Sequence, residues 1–274
     1  SIKPRMSRCN SVNAPISVRP ANGGELALSA AGATPVLSLA AADPARGAFS
    51  VASARGGGLP EARFDGVQWR LTPGGFAATL KGRAVLDFGP AREVAFSTQG
   101  ELASANGRLT YTARDCIPLS MRKLDLGENS VEALSGRACP TSAPLFVVRD
   151  GVWRARARLA AVAGAMPVFE VGLSDAEGEL TVDGAPGGVS MRVAVAGAQV
   201  ADTADPVRFL PLQARGEARL AGETWTAGFD LSRLEHAVGR VEVRHDVRAE
   251  AGEAVISAPD LAFTAYGLQP SDLS

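Results

Sequence analysis

From Gly47 onward the chain alternates apolar and polar residues with a period of two. Phe76, Ala78, Leu80, Gly82, Ala84, Leu86 and Phe88 share one parity; Ala77, Thr79, Lys81, Arg83, Val85 and Asp87 take the other. This predicts a half-buried strand of about 13 residues, roughly 43 Å long at about 3.3 Å per residue. Globular strands usually run about 3–10 residues, so this one is long. The pattern recurs. Trp153, Ala155, Ala157 and Leu159 alternate with Arg154, Arg156 and Arg158; Val189, Met191, Val193 and Val195 alternate with Ser190, Arg192 and Ala194. Val241, Val243, His245 and Val247 alternate with Glu242, Arg244, Asp246 and Arg248. Each segment predicts one apolar face and one wet face.

The turn signals fit hairpins. Asn106-Gly107, between Leu102 and Leu109, has the positive-φ chemistry of a type I′ turn. Asp150-Gly151, Asp183-Gly184 and Ala221-Gly222 punctuate in the same way. Helix is expected only as a turn or two at residues 159–165 and 232–238. The first 46 residues, with Pro4, Pro15, Pro20, Gly23-Gly24, Pro35 and Pro44, read as irregular, with short strands near residues 25–29 and 36–40. Residues 47–274 read as one continuous antiparallel β-sheet domain, cut from a longer chain. The expected fold class is all-β: a long antiparallel meander with few or no helices.

Composition narrows the function. Hydrophobic residues are 46% of the 274, but aromatics only 5%, so the apolar set is mostly Ala, Val and Leu. With 28 basic and 29 acidic residues, the chain lacks the basic excess of a nucleic-acid binder. No run of about 18 apolar residues is present to span a bilayer as a helix.

Of three cysteines, Cys116 and Cys139 lie in strand-end settings, Cys116-Ile117-Pro118 and Cys139-Pro140. A bridge between them closes a loop of roughly 24 residues, worth on the order of 3 kcal/mol. Free buried thiols are the alternative. Zinc needs four N/S ligands, and three Cys and two His without a CxxC pair do not outline such a site. A disulfide implies an oxidising compartment, the periplasm or the cell exterior. Cys9 is left over, either unpaired or paired beyond this stretch.

No catalytic constellation stands out, and the chain reads as a non-enzyme without cofactor or metal. His245 lies on the apolar parity of its strand, where a hydrogen-bonded structural role is the plain reading. Gly56-Gly57-Gly58 precedes Leu59-Pro60 and so lacks the helix N-terminus of a phosphate cradle. The stripe Arg154, Arg156 and Arg158 is either a solvated strand face or a surface for lipid phosphates or a partner. The apolar faces need cover: a second sheet, or the same sheet curled into an open trough that contacts acyl chains. A ring-poor lining leaves room inside a trough.

Two stretches carry a family resemblance. One runs from Cys116-Ile117-Pro118-Leu119 to Ala138-Cys139-Pro140. The other covers residues 239–247, 249–254 and 258–263, ending Gly267-Leu268-Gln269-Pro270-Ser271-Asp272-Leu273-Ser274. Together they resemble the YdbH-like proteins of the Gram-negative envelope, which belong with the AsmA-like and TamB-like bridge proteins. The resemblance implies a periplasmic protein anchored in the inner membrane, with a curled β-groove through which phospholipid passes between membranes. It also implies an outer-membrane lipoprotein or other envelope protein as partner. The expected lining is Leu80, Leu86, Phe88, Leu109, Tyr111, Trp153, Val193, Leu220 and Phe229. The alternative function is a structural or scaffold β domain that binds an envelope partner by strand addition.

Overall fold

A computed structural model describes residues 16–21, 25–30, 37–43, 45–53, 60–88, 91–125, 130–249 and 251–258, with side chains from Ala45 onward except that of Phe88. Cys9, the glycine run at 56–58 and the C-terminal motif at 267–274 lie outside the described residues. Eighteen strands form a single sheet. In chain order they are β1 (Ile16–Ala21), β2 (Glu25–Ala30), β3 (Leu37–Asp43), β4 (Arg46–Ser53), β5 (Glu61–Thr72) and β6 (Gly75–Phe88). Then come β7 (Ala91–Ala105), β8 (Arg108–Ala113), β9 (Ile117–Leu124), β10 (Val131–Cys139), β11 (Phe146–Arg149) and β12 (Val152–Met166). The last six are β13 (Val171–Ala185), β14 (Gly188–Asp202), β15 (Leu212–Ala221), β16 (Thr224–Arg233), β17 (His236–Asp246) and β18 (Ala251–Ser257). The only helical element among the described residues is a 3₁₀ turn at Pro167–Phe169.

Every pairing is antiparallel. Strands β1 to β8 and β11 to β18 each pair with the next in sequence. The centre is built differently. β7 pairs with β8 along one half and with β9 along the other. β12 likewise pairs with β11 and β10, while β8 meets β11 and β9 meets β10. Two interrupted strands therefore lie side by side between two unbroken ones. Eighteen strands fill sixteen positions, so the sheet is about 70 Å across at about 4.8 Å per strand.

The Cys116–Cys139 disulfide staples the two interruptions together, with Cα atoms 3.9 Å apart. It lies one step beyond the Ile117–Ala138 pair that begins the β9–β10 ladder. Of the two readings of these thiols, the bridge is the one formed. Beside it Ala113, Ile117, Ala138 and Ala157 bury together, with Phe96, Tyr111, Leu119 and Leu145 packed against them. The Arg156 N–H donates to the Leu145 carbonyl at 2.8 Å, carrying hydrogen bonding across the gap.

The long period-two segments are strands, as their alternation dictates: residues 76–88 fall in β6, 153–159 in β12, 189–195 in β14 and 241–246 in β17. The short strands expected near residues 25–29 and 36–40 are β2 and β3, hydrogen-bonded to each other, with β3 also paired to β4. Asn106-Gly107 and Asp150-Gly151 turn with positive φ at both residues, the type I′ geometry. Two local expectations are corrected. Asp183-Gly184 lies inside β13, because Gly184 sits beneath the Trp153 ring, and the turn falls at Pro186-Gly187. The helical turns expected at 159–165 and 232–238 do not form. The first is a bulge in β12 at Ala160-Ala161, whose extra residue breaks the alternation. The second is a hairpin through Leu234 and Glu235, both at positive φ.

The sheet curls. A Cβ on Gly178 would stand 1.9 Å from the Ala194 carbonyl oxygen, and one on Gly216 would stand 2.0 Å from that of Gly228. Both glycines lie on the apolar parity, so their missing side chains let neighbouring strands close in on that side. The result is an open groove rather than a flat sheet.

Two outcomes are expected. Reducing the disulfide, or replacing both cysteines with serine, lowers the thermal midpoint by on the order of 10 °C. A Gly216→Ala change costs about 1–3 kcal/mol by urea denaturation, because backbone must move to admit the methyl group.

Candidate functional site: the apolar face of the sheet

Register decides which side chains share a face, since residues directly opposite in a ladder point the same way. From β6 the row of Leu80 continues through Gly100 of β7 to Ala113 of β8. Tyr111 lies opposite Phe146, which lies opposite Ala155, then Val182 and Met191. Leu180 lies opposite Val193, then Ala218, Ala227, Val243 and Ala254. Leu220, Trp225 and His245 form a parallel row. One apolar face thus runs unbroken from β4 to β18.

The register places Leu80, Leu86, Leu109, Tyr111, Trp153, Val193, Leu220 and Phe229 on this one face; the backbone of Phe88 shares its parity, but its side chain is outside the described set. All eight are half-buried. In a filled sandwich, large inward side chains are buried. Here the fully buried apolar set is mostly alanine, and Val67 is the largest side chain fully enclosed among the described residues. The face is therefore only partly covered.

The sequence reading missed several members. Trp225 shares the parity of Phe229, so simple alternation would have found it. Trp69 is hidden because the bulge around Gly66 shifts the phase between Phe64 and Trp69. All three tryptophans, Trp69, Trp153 and Trp225, stand within three residues of the tight turns at one end of the strands. Among the described residues the buried indole N–H groups of Trp69 and Trp225 meet no hydrogen-bond acceptor. Tyr111 meets Thr98 through a hydroxyl–hydroxyl hydrogen bond on this face, and burial raises its phenol pKa. His245 is buried on this face.

At the opposite strand ends the face is capped. The loop at 203–211 brings Phe209 onto the cluster of Leu212, Ala214, Leu231 and Val238. Arg208 holds the loop. Its guanidinium donates to Asp202 Oδ1 at 2.7 Å and to the Phe169 carbonyl at 2.7 Å, and it pairs with Glu170 at 3.3 Å. Burial of Asp202 opposes ionisation, but hydrogen bonds from the Arg208 side chain and from the Arg208 and Ala204 N–H groups win, lowering its pKa to about 2. Glu217, on the other face, is lowered to about 2 by hydrogen bonds from Arg192 and Arg219.

Among the described residues, no group of three or more His, Cys, Asp or Glu side chains is placed to hold a metal ion. Two open hollows lie on the polar face, while the apolar face is broad, extending from β4 to β18. That breadth suits an elongated apolar ligand better than a compact polar one. No family model, curated protein or solved structure matches the chain.

Both carboxylates are stabilised as ions in the fold relative to their ordinary values of 3.8 and 4.5. Their contribution to stability is complete above those values and is lost as pH falls towards about 2. Urea denaturation at pH 6, 4 and 3 should show stability falling with pH, and Asp202→Asn with Glu217→Gln should flatten that dependence. An unchanged slope in the double variant would contradict the assignment.

Proposed function

We propose that this chain is a segment of a periplasmic lipid-transfer protein of the YdbH-like kind, whose groove shelters phospholipid acyl chains between the inner and outer membranes. The observation that carries the reading is the unbroken, half-covered apolar face. Each 100 Å² of that face covered by an apolar ligand is worth about 2.5 kcal/mol, so a chain lying along several strands gains enough to be held. The small lining residues and the glycine-permitted curl leave room for it. The disulfide supports an oxidising compartment. Anchoring of the parent protein in the inner membrane, and a lipoprotein partner in the outer one, belong to the same proposal and rest on the family resemblance.

A second reading has its own observation. Among the described residues β18 has a ladder with β17 alone, its seven residues are all exposed, and Val255 and Ile256 are 50% and 64% accessible. Exposed edges of this kind are ordinarily blunted by Lys or Pro, and β18 has neither. The edge suits strand addition by an envelope partner, making the domain a scaffold.

A photo-crosslinking residue at Leu80, Val193 or Phe229 is expected to yield phospholipid adducts in cells, and one at Thr181 on the polar face is expected to yield none. Absence of adducts at every apolar-face position would overturn lipid sheltering. If Val255→Lys abolishes capture of a protein partner while no lipid adducts form anywhere, the scaffold reading takes its place.

A further inference from the structure

The polar face carries both paired and unpaired cations. Four of its arginines over β12–β17 are matched by acids: Arg154 pairs with Asp183, Glu217 lies between Arg192 and Arg219, and Arg240 meets Asp230 at 2.6 Å and Glu242 at 2.9 Å. Other cations of this face have no such match. Lys81, Arg83, Arg137 and Arg156 make no ion pair or side-chain hydrogen bond among the described residues. Arg83 even stands directly opposite Arg63. Like charges in that position destabilise a sheet. Asp65 pairs with Arg63 at 2.7 Å, while Arg83 makes no ion pair among the described residues.

The same region is concave. Two adjoining hollows of about 790 and 420 Å³ share Arg83, Ser97 and Pro118. Lys81 and Gln99 line the larger one. Across Pro118 lies Arg137 of β10, on the same face. The acidic groups facing the hollows are Asp65, already paired, with Asp115 and Glu61. A hollow with two unmatched cations, a hydroxyl and an amide has the donors that a tetrahedral, multiply charged anion requires.

We propose that this hollow on the polar face binds a phosphate-bearing group, held by Lys81 and Arg83 with Ser97 and Gln99 as hydrogen-bond donors. The site lies on the opposite side of the sheet from the apolar face, so it stands or falls independently of lipid sheltering. The bound group bridges Lys81 and Arg83 and relieves the repulsion between Arg83 and Arg63. Its source is either a free phosphate compound or the headgroup of an anionic lipid surface.

Calorimetric titration at low ionic strength with inorganic phosphate, and co-sedimentation with phosphatidylglycerol vesicles, separate these sources. Saturable binding of at least one probe is expected, weakened about tenfold or more in a Lys81→Ala, Arg83→Ala double variant and retained in Arg192→Ala, which alters an acid-paired arginine outside the hollow. Phosphate binding lost in the double variant assigns a soluble phosphate compound; vesicle binding alone, lost in the same way, assigns a lipid headgroup. The proposal is overturned if the wild-type chain binds neither probe, if binding survives the double variant, or if Arg192→Ala weakens it equally. Circular dichroism and the thermal midpoint check folding, and Arg83→Gln alone replaces the double variant if that midpoint drops.

Discussion

The whole structure depends on keeping cross-strand register in phase. Because side chains alternate strictly along a strand, a one-residue slip anywhere would turn the apolar side chains of that strand into water. The bulges in β5, β12, β13 and β14 are where this phase is managed. Each shifts the alternation by an extra residue, and the shifts in β12, β13 and β14 occur at neighbouring levels of adjacent strands. Local twist accumulates there without splitting the apolar face.

The centre of the sheet is where that continuity is hardest to hold. Two interrupted strands must align end to end, β8 with β9 and β10 with β11, although each pair is separated by a break in the ladder. The disulfide fixes the two breaks relative to each other, and the Ala113–Ile117–Ala138–Ala157 cluster fills the space beneath. With alanine predominating there, strands approach closely and the lining stays shallow. The cross-link is thus bound up with the surface proposed to shelter lipid.

The two faces carry different physics. The apolar face gains free energy when something apolar covers it, and its half-buried tryptophans, leucines and valines leave that gain partly unrealised in the isolated chain. The polar face sets matched pairs such as Arg154–Asp183 beside cations, Lys81 and Arg83, that make no ion pair among the described residues. A sheet one residue thick can present both surfaces at once, which a closed sandwich cannot.

Much of this was legible in the sequence. Period-two alternation in residues 76–88 and 189–195 requires strands, and Asn106-Gly107 and Asp150-Gly151 require tight hairpins, because both are local consequences of backbone sterics. Parity also placed Leu80, Trp153, Val193 and Phe229 on apolar strand faces. Bulges defeated the same rule: Trp69 falls out of phase behind Gly66, and Leu159-Ala160-Ala161 imitates a helical run. Whether the strand faces joined into one surface was beyond local pattern, since that depends on register between strands distant in sequence. Only the tertiary structure decided that Arg154 finds Asp183 while, among the described residues, Arg156 and Arg83 pair with no acid and no second sheet fills the open groove into which the long apolar face curls. Alternation fixes which way a side chain points from its own strand; what it meets there is set by the neighbours that the fold brings alongside.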